Sequence, residues 1–468
     1  MKKYISEQKI LYLMAISGAI IYISLIFNNN LWMDEAFSSV LVHTDFASMM
    51  ERSANDTLPP LYNILNWIMT TLFGFYPAVL RLSSIIPVIC VLFLSANKIY
   101  RRFNFFTCAI FMICITGMPS MLNYGTEIRM YALSLFFVTA AGIYAIECFY
   151  DSSVKNYIFL AGFTLGAAYT HHFAFVSCGG IYFFLLLALF FANKEKFKAL
   201  KGWFISLIFI GILYLPNLFI TLKQMSRVNG YFSMPDFSLS LIVSCIKTPF
   251  ITTATIFSAI LLLVYIILPV IVFYQKKRIS ALLPGLCCTM VFVFTMTFGL
   301  LVILILKSNI FTPRYLFPSY GMLWLGFAIF AGQIEYKKKL NILLSCFMIV
   351  ICAITYHSQF CEEYRPGVDH MTQYFYENID MQNDCYIIYE DNYQIEICFR
   401  YYFPEFKKTS VDNTDECNGN IWYLQVPGFE DKADTINNAG YQKEYVGDFN
   451  FDRYSFSLYK LSVHHEID

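Results

Sequence analysis

The stretch NNNLWMDEAFSSVL, residues 28–41, follows directly on the first long apolar run of the chain, 10–27. It sets two adjacent carboxylates, Asp34 and Glu35, among Trp32, Met33 and Phe37. If 10–27 crosses a bilayer, the acidic pair stands where the chain leaves it. The composition favours that reading. Of 468 residues, 57% are hydrophobic and 14% are charged, and the mean hydropathy is +0.54. Soluble domains carry about 25% charged residues, so the chain reads as a polytopic membrane protein. Lys plus Arg number 33, as do Asp plus Glu. The net charge is therefore zero and indicates no nucleic-acid partner.

The positions of the charges say more. Lys2, Lys3 and Lys9 precede the first apolar run, and no small-residue cleavage site follows it, so it reads as an anchor. Basic groups recur at Lys98, Arg101 and Arg102; at Lys155; at Lys194, Lys196, Lys198 and Lys201; at Lys276, Lys277 and Arg278; and at Lys337, Lys338 and Lys339. Each lies between two apolar runs. The positive-inside rule puts them all in the cytoplasm, with the N-terminus. Loops 28–77, 119–129, 171–172, 223–249 and 307–314 then face outward. PLYNILNWIMTTLF, 60–73, is apolar but too short for a span, and reads as an interfacial helix on the outer surface. Eleven spans remain: 10–27, 78–97, 104–118, 130–150, 157–170, 173–192, 203–222, 251–274, 284–306, 314–334 and 340–357. Their odd number leaves the C-terminus outside the plasma membrane.

The composition changes after His357. DCYIIYE (384–390) and NIWYLQV (420–426) read as short strands. GVDHMTQYFYENI (367–379) and YQIEICFRYYF (393–403) have helical spacing, and YVGDFNFDRYSFSLYKL (445–461) reads as a hairpin. The expected organisation is a membrane-embedded domain, 1–358, whose first outer loop is 28–77, and an extracytoplasmic α/β domain, 359–468. Cys361, Cys385, Cys398 and Cys417 fall in the latter; four cysteines allow three pairings.

Ionisable residues gather at the expected outer span ends: Asp34 and Glu35, Asp56, Arg81, Glu127 and Arg129, His171 and His172, and Arg314. Such residues at membrane depth are costly and by default suggest a site. The plainer explanation is that outer loops need polar residues and that arginine snorkels to headgroups. It fits any one of these residues better than it fits the set. Asp34 and Glu35, if on extended chain, would point to opposite sides. Glu127 and Arg129, if on a helix, would not share a face.

In order, WMDEAFS (32–38), NDTLPPLYNIL (55–65), LRLSSIIP (80–87), EIRMYAL (127–133), YTHHFAF (169–175) and TPRYLFPSYGMLWL (312–325) resemble motifs of the membrane glycosyltransferases of the C-type fold. The nearest branch is that of the protein O-mannosyltransferases and the lipid A aminoarabinose transferase. The resemblance covers about the first 335 residues. It departs at Leu58, where the family shows His, and at Asn63, where it shows Tyr. If that His serves the donor or a metal in relatives, this chain must do without it; His171 or His172 could compensate.

The resemblance implies a sugar donor linked to polyprenyl phosphate and transfer to a hydroxyl of a protein, lipid or glycan on the outer face. Such a transfer needs a base for the acceptor proton, tolerance of oxocarbenium character and cations for the departing phosphate. The resemblance gives Asp34 the role of base, and Asp56 or Glu35 could orient the acceptor or hold a divalent metal. Arg129, Arg314, Arg81, His171 and His172 become the candidate phosphate partners. Glu127, Tyr62, Tyr131 and Tyr315 become candidate substrate contacts. The short basic cytoplasmic loops hold no Gly-rich phosphate loop, in keeping with a donor that arrives on a lipid. A transporter or flippase of lipid-linked saccharides would show matching halves with broken spans, which are not seen. A polymerase would gather its key residues in a late outer loop. Loop 223–249 is the one candidate, and it reads as a mobile cover over the acceptor.

Overall fold

The computed structural model describes residues 2–192, 196–228, 237–252, 255–306, 310–334, 338–388, 393–427, 433–451 and 453–463. Contacts divide the chain into two units, Met1–Phe27 with Asp45–Gln359, and Asn28–Thr44 with Phe360–Asp468. The first unit holds α1 (Lys2–Ile23), α3 (Phe46–Asn55), α4 (Leu61–Phe73), α5 (Pro77–Arg102), α6 (Phe105–Gly117), α7 (Met121–Thr126) and α8 (Tyr131–Tyr150). It continues with α9 (Val154–Ala168), α10 (His172–Ala192), α11 (Lys196–Val228), α12 (Leu239–Lys247), α13 (Thr255–Lys276) and α14 (Ile279–Leu306). A 3-10 turn, Pro313–Ser319, leads into α15 (Tyr320–Gln333), and α16 (Lys338–Glu363) follows. The remaining early helix, α2 (Met33–Val42), belongs to the second unit.

Among the described residues eight helices are long and apolar enough to cross a membrane. They are α5, α8, α10, α11, α13, α14, α15 with its leading turn, and the run that starts at Leu340 in α16. The other three expected spans also fold as helices. α1 carries Lys2, Lys3, Glu7 and Lys9 at its start. α6 and α9 have 13 and 15 residues, about 20 Å and 22 Å at 1.5 Å per residue. α6 is nearly all buried, packed by α1, α5 and α15, so protein rather than lipid covers its length. On α11 and α13 the apolar side chains of Phe204, Ile208, Ile212, Leu263, Ile266 and Val270 point outward, as lipid-facing surfaces do.

Cross-helix bonds fix which ends share a side. The Tyr100 hydroxyl donates to Glu7 at 2.9 Å, and Arg81 Nη1 to the Ile26 carbonyl at 3.5 Å. α1 and α5 are therefore antiparallel, so segment 28–76 starts and ends on one side of the first unit. α4 accordingly does not span. Its 13 residues bury Tyr62, Asn63 and Asn66 and expose Ile68, Leu72 and Phe73, the two faces of an interfacial helix. Arg102 meets Glu147 at 2.7 Å, which aligns the C-terminal ends of α5 and α8, as a returning α6 between them requires.

Loop 223–249 is resolved differently from expectation. Residues 223–228 continue α11 and 239–247 form α12; the mobile cover expected there lies, over 229–236, outside the described residues. In the second unit, α17 (Gly367–Asn378), α18 (Tyr393–Tyr402) and α19 (Ala433–Asn438) accompany a sheet of order β2-β1-β3-β5-β4. Its strands are β1 (Cys385–Ile388), β2 (Lys407–Lys408), β3 (Ile421–Gln425), β4 (Tyr441–Phe451) and β5 (Tyr454–Val463). β1 runs parallel to β2 and β3, and the β4–β5 hairpin closes the sheet antiparallel. The buried Asp384 accepts from Trp422 Nε1 at 2.8 Å and from the Asn420 amide at 2.6 Å. The Cys417 thiol donates to the Asn383 carbonyl at 3.5 Å.

Helices α8 and α15 approach through small residues, as membrane helices commonly do. A Cβ at Gly321 would land on the Thr139 hydroxyl, whereas one at Gly179 of α10 would meet nothing within 4 Å. Gly321→Ala should lower the melting temperature of the detergent-purified protein, an overpacking cost of about 1–3 kcal/mol. Gly179→Ala should leave it unchanged or raise it, because alanine is the better helix former. Equal effects would show that α8 and α15 do not meet through these residues.

Candidate functional site

On one side of the first unit, four chain segments bring their polar residues together. The first is the 56–61 loop after α3. Asp56 follows α3 half-buried, its N–H bonded to the Arg52 carbonyl at 3.0 Å. Leu61 N–H donates to the Tyr169 carbonyl at 3.1 Å, which ties the start of α4 to the end of α9. Gln224, buried in α11, donates to the Leu58 carbonyl at 2.8 Å and to that of Ser53 at 3.3 Å. His172 lies beside the Thr57 backbone and the Gln224 side chain. The chain thus places a histidine next to the loop in which Leu58 stands.

The second segment joins α7 to α8. It is not helical: α7 ends at Thr126, Glu127 caps it at φ −57° and ψ 137°, and Arg129 N–H turns back to the Glu127 carbonyl at 2.6 Å. The helical objection to Glu127 and Arg129 acting together therefore lapses. The Ser84 hydroxyl donates to the Glu127 carbonyl at 2.6 Å and is bonded to the Tyr62 hydroxyl at 2.8 Å. Tyr62 is thus committed to joining α4 and α5. Arg81, buried and bonded to the Ile26 carbonyl, holds the α1–α5 corner. It is not exposed as a headgroup anchor would be.

The other segments are the α9–α10 turn and the 312–315 turn. They meet the start of α8 in an aromatic cluster. The His171 ring lies 5.9 Å from Tyr131 and 5.2 Å from Tyr315, centroid to centroid. Tyr315 stacks on Phe173 at 5.6 Å, and the Arg314 guanidinium lies 5.8 Å from the Tyr315 ring centre. Tyr124, to which no role was assigned from sequence, packs on Tyr131 at 5.3 Å and on Phe317 at 5.0 Å. Arg314, Tyr315, Arg129 and Glu127 all lie within electrostatic reach of the Tyr131 hydroxyl.

His171 is the informative member. It is 1% exposed. Its Nδ1 accepts the Phe173 N–H at 3.1 Å, which assigns the ring proton to Nε2. Among the described residues, that Nε2 is buried with no hydrogen-bond partner. Burial, then His172, Arg129 and Arg314, hold its pKa well below the ordinary 6.5. The imidazole is thus a neutral N–H donor within electrostatic reach of two guanidiniums. Buried polar groups normally find partners, and a donor set of this kind suits an anion.

The acidic pair is described within the second unit. Asp34 and Glu35 are 8% and 6% exposed. They lie in the first turn of α2, where carboxylates complement the helix dipole. They are therefore not on extended chain, and their side chains diverge by about 100°. Glu35 accepts the Trp32 N–H at 3.3 Å, the carboxylate half of a capping box. Among the described residues no three His, Cys, Asp or Glu side chains gather so as to hold a metal ion.

The fold is similar to that of two crystal structures of ArnT from Cupriavidus metallidurans. One is bound to undecaprenyl phosphate, with a TM-score of 0.64, and the other is in the apo state, with a TM-score of 0.66. Each is 9% identical in sequence over 96% of this chain and 97% of that chain. The likeness is one of fold, and it gives this chain the architecture of the C-type membrane glycosyltransferases. No family model and no curated protein sequence matches the chain.

The buried histidine has a pH signature. The unfolded chain takes up a proton at His171 below pH 6.5 that the folded chain refuses. This residue therefore adds no pH dependence above pH 6.5 and destabilises the fold below it. The melting temperature of His171→Phe should fall less steeply than wild type between about pH 6.5 and pH 5, whatever its absolute value. Equal slopes would mean that the imidazole protonates in place.

Proposed function

We propose that the protein is an integral membrane glycosyltransferase. It moves a sugar from a polyprenyl-phosphate donor to a hydroxyl acceptor on the outer face of the membrane. The observation that carries the reading is the buried Nε2–H of His171, unpartnered among the described residues and within electrostatic reach of Arg129 and Arg314, in a fold shared with a protein crystallised with undecaprenyl phosphate. In the reaction the acceptor oxygen attacks the anomeric carbon as the bond from that carbon to the phosphate oxygen breaks. The acceptor proton passes to a carboxylate, and the leaving polyprenyl phosphate gains the charge that Arg129, Arg314 and the His171 N–H stabilise. Tyr131 and Tyr315 wall the sugar, with Glu127 as its hydrogen-bond acceptor. His172 takes the place of the family's histidine beside the 56–58 loop.

Asp34 is the base, because Glu35 is committed to capping α2. Asp56 is the second candidate, favoured by its place in the same unit as the cation cluster, one residue from the Thr57 backbone that His172 adjoins. The direct test is incubation of the purified protein with a panel of polyprenyl-phosphate sugars, reading release of polyprenyl phosphate with and without EDTA. Release with any of them is expected. No release from the whole panel with acceptor-containing membranes present would overturn the reading, and loss with EDTA would give a divalent metal a part in the mechanism.

Two variants separate the roles. Asp34→Asn should lower single-turnover transfer by about 10²–10⁴-fold and leave undecaprenyl phosphate binding nearly unchanged. Near-normal turnover would transfer the role to Asp56. Arg314→Ala should weaken binding of the same probe, and Arg314→Lys should restore only part, since an ammonium lacks the planar fork. Unchanged binding in both would leave Arg314 with no part in holding phosphate.

A further inference from the structure

Two of the three asparagines that precede the acidic helix, Asn29 and Asn30, are bonded into the C-terminal part of the chain. Tyr402, the last residue of α18, is 8% exposed. Its hydroxyl accepts the Leu31 N–H at 2.8 Å and donates to the Asn29 carbonyl at 2.8 Å. Asn30 Nδ2 donates to the carbonyls of Glu363, at 2.6 Å, and Arg365, at 3.1 Å. Asn29 Nδ2 reaches Asp369 at 3.0 Å, and the Arg453 guanidinium lies 5.2 Å from the Trp32 ring centre. Tyr402 is itself held by the Tyr376 hydroxyl, which donates to its carbonyl at 3.0 Å. Leu31, 0% exposed, is followed by Trp32, the residue that caps α2, and Asp34 is the second residue of that helix.

From this we infer that Tyr402 is a positioning residue. By fixing the 29–31 backbone it sets where α2 begins, and so where the Asp34 carboxylate points. The α/β domain is then a working part of the transferase rather than an appendage to it. A helix of 10 residues is too short to hold its own start in water, and its local devices are the Glu35 cap and the Ser38 and Ser39 hydroxyls, which bond carbonyls within the helix. The register must come from outside it, and Tyr402 and Asn30 supply four of the bonds that give it.

The inference rests on the reading of Asp34 as base, and the test keeps the two apart. Tyr402→Phe keeps the ring and deletes the two hydroxyl bonds; Asn30→Ala deletes the other pair and serves where the first variant accumulates poorly. Hydrogen–deuterium exchange on the full-length protein should rise about tenfold at residues 29–36 in either variant, the weight of one or two lost bonds, with β3 and β5 unchanged. Turnover should fall about 10–100-fold, as for a displaced reacting group, with undecaprenyl phosphate binding retained. In the Asp34→Asn background the same change should cost nothing further. Unchanged exchange at 29–36 would overturn the clamp. Altered exchange with normal turnover, while Asp34→Asn is inactive, would overturn the positioning role and leave the base assignment standing. Full activity of Asp34→Asn would remove the base assignment, and the positioning role with it.

Discussion

The hydrogen bond from the Ser84 hydroxyl to the Glu127 carbonyl, 2.6 Å long, lets non-helical backbone lie among apolar helices. Away from water, backbone outside helices persists only where protein groups satisfy it. Between α7 and α8 that condition is met by Ser84 and by the tight turn from Arg129 to Glu127. Leu61 N–H bound to Tyr169, and Gln224 bound to Leu58, meet it at the neighbouring segments. Once these carbonyls and amides are satisfied, the charged and aromatic side chains of the same segments are left to converge. Remove the satisfaction and each helix end would have to straighten or hydrate, and the arginines would separate.

The electrostatics of this face follow from burial. Two guanidiniums within electrostatic reach of a histidine make a protonated imidazole unfavourable, and the Phe173 N–H on Nδ1 fixes the remaining proton on Nε2. The histidine thus contributes a directed dipole rather than a charge. That suits a ligand whose negative charge has to be held through a reaction without adding a third cation to a crowded place.

The long apolar helices were legible in the sequence because they rest on a coarse property, run length. The interfacial α4 was legible from its short apolar run, and the antiparallel pairing of α1 and α5 on either side of it agrees. The closing hairpin was legible from its alternating pattern. What could not be read depends on partners far along the chain. The helical state of Asp34 and Glu35 relies on contacts with residues beyond 360. The bent path of Glu127 and Arg129 relies on Ser84, 43 residues away. Gln224 is a lone amide at the end of an apolar run, and its partner Leu58 lies 166 residues back. A buried amide among apolar neighbours is the signal that could have singled it out, since such a group needs a partner. Tyr402 gave no such signal, being one tyrosine among 34.

The bonds that hold the acidic helix also order events in time. Asn29 and Tyr402 are 373 positions apart. At 5–20 residues per second, a ribosome reaches the second about 20–75 s after the first. For the last 87 residues of that stretch, about 4–17 s at the same rate, the aromatic and arginine cluster, complete by Tyr315, can assemble while α2 still lacks its anchor. The nascent chain thus acquires its ligand-binding groups first and the fixed carboxylate last.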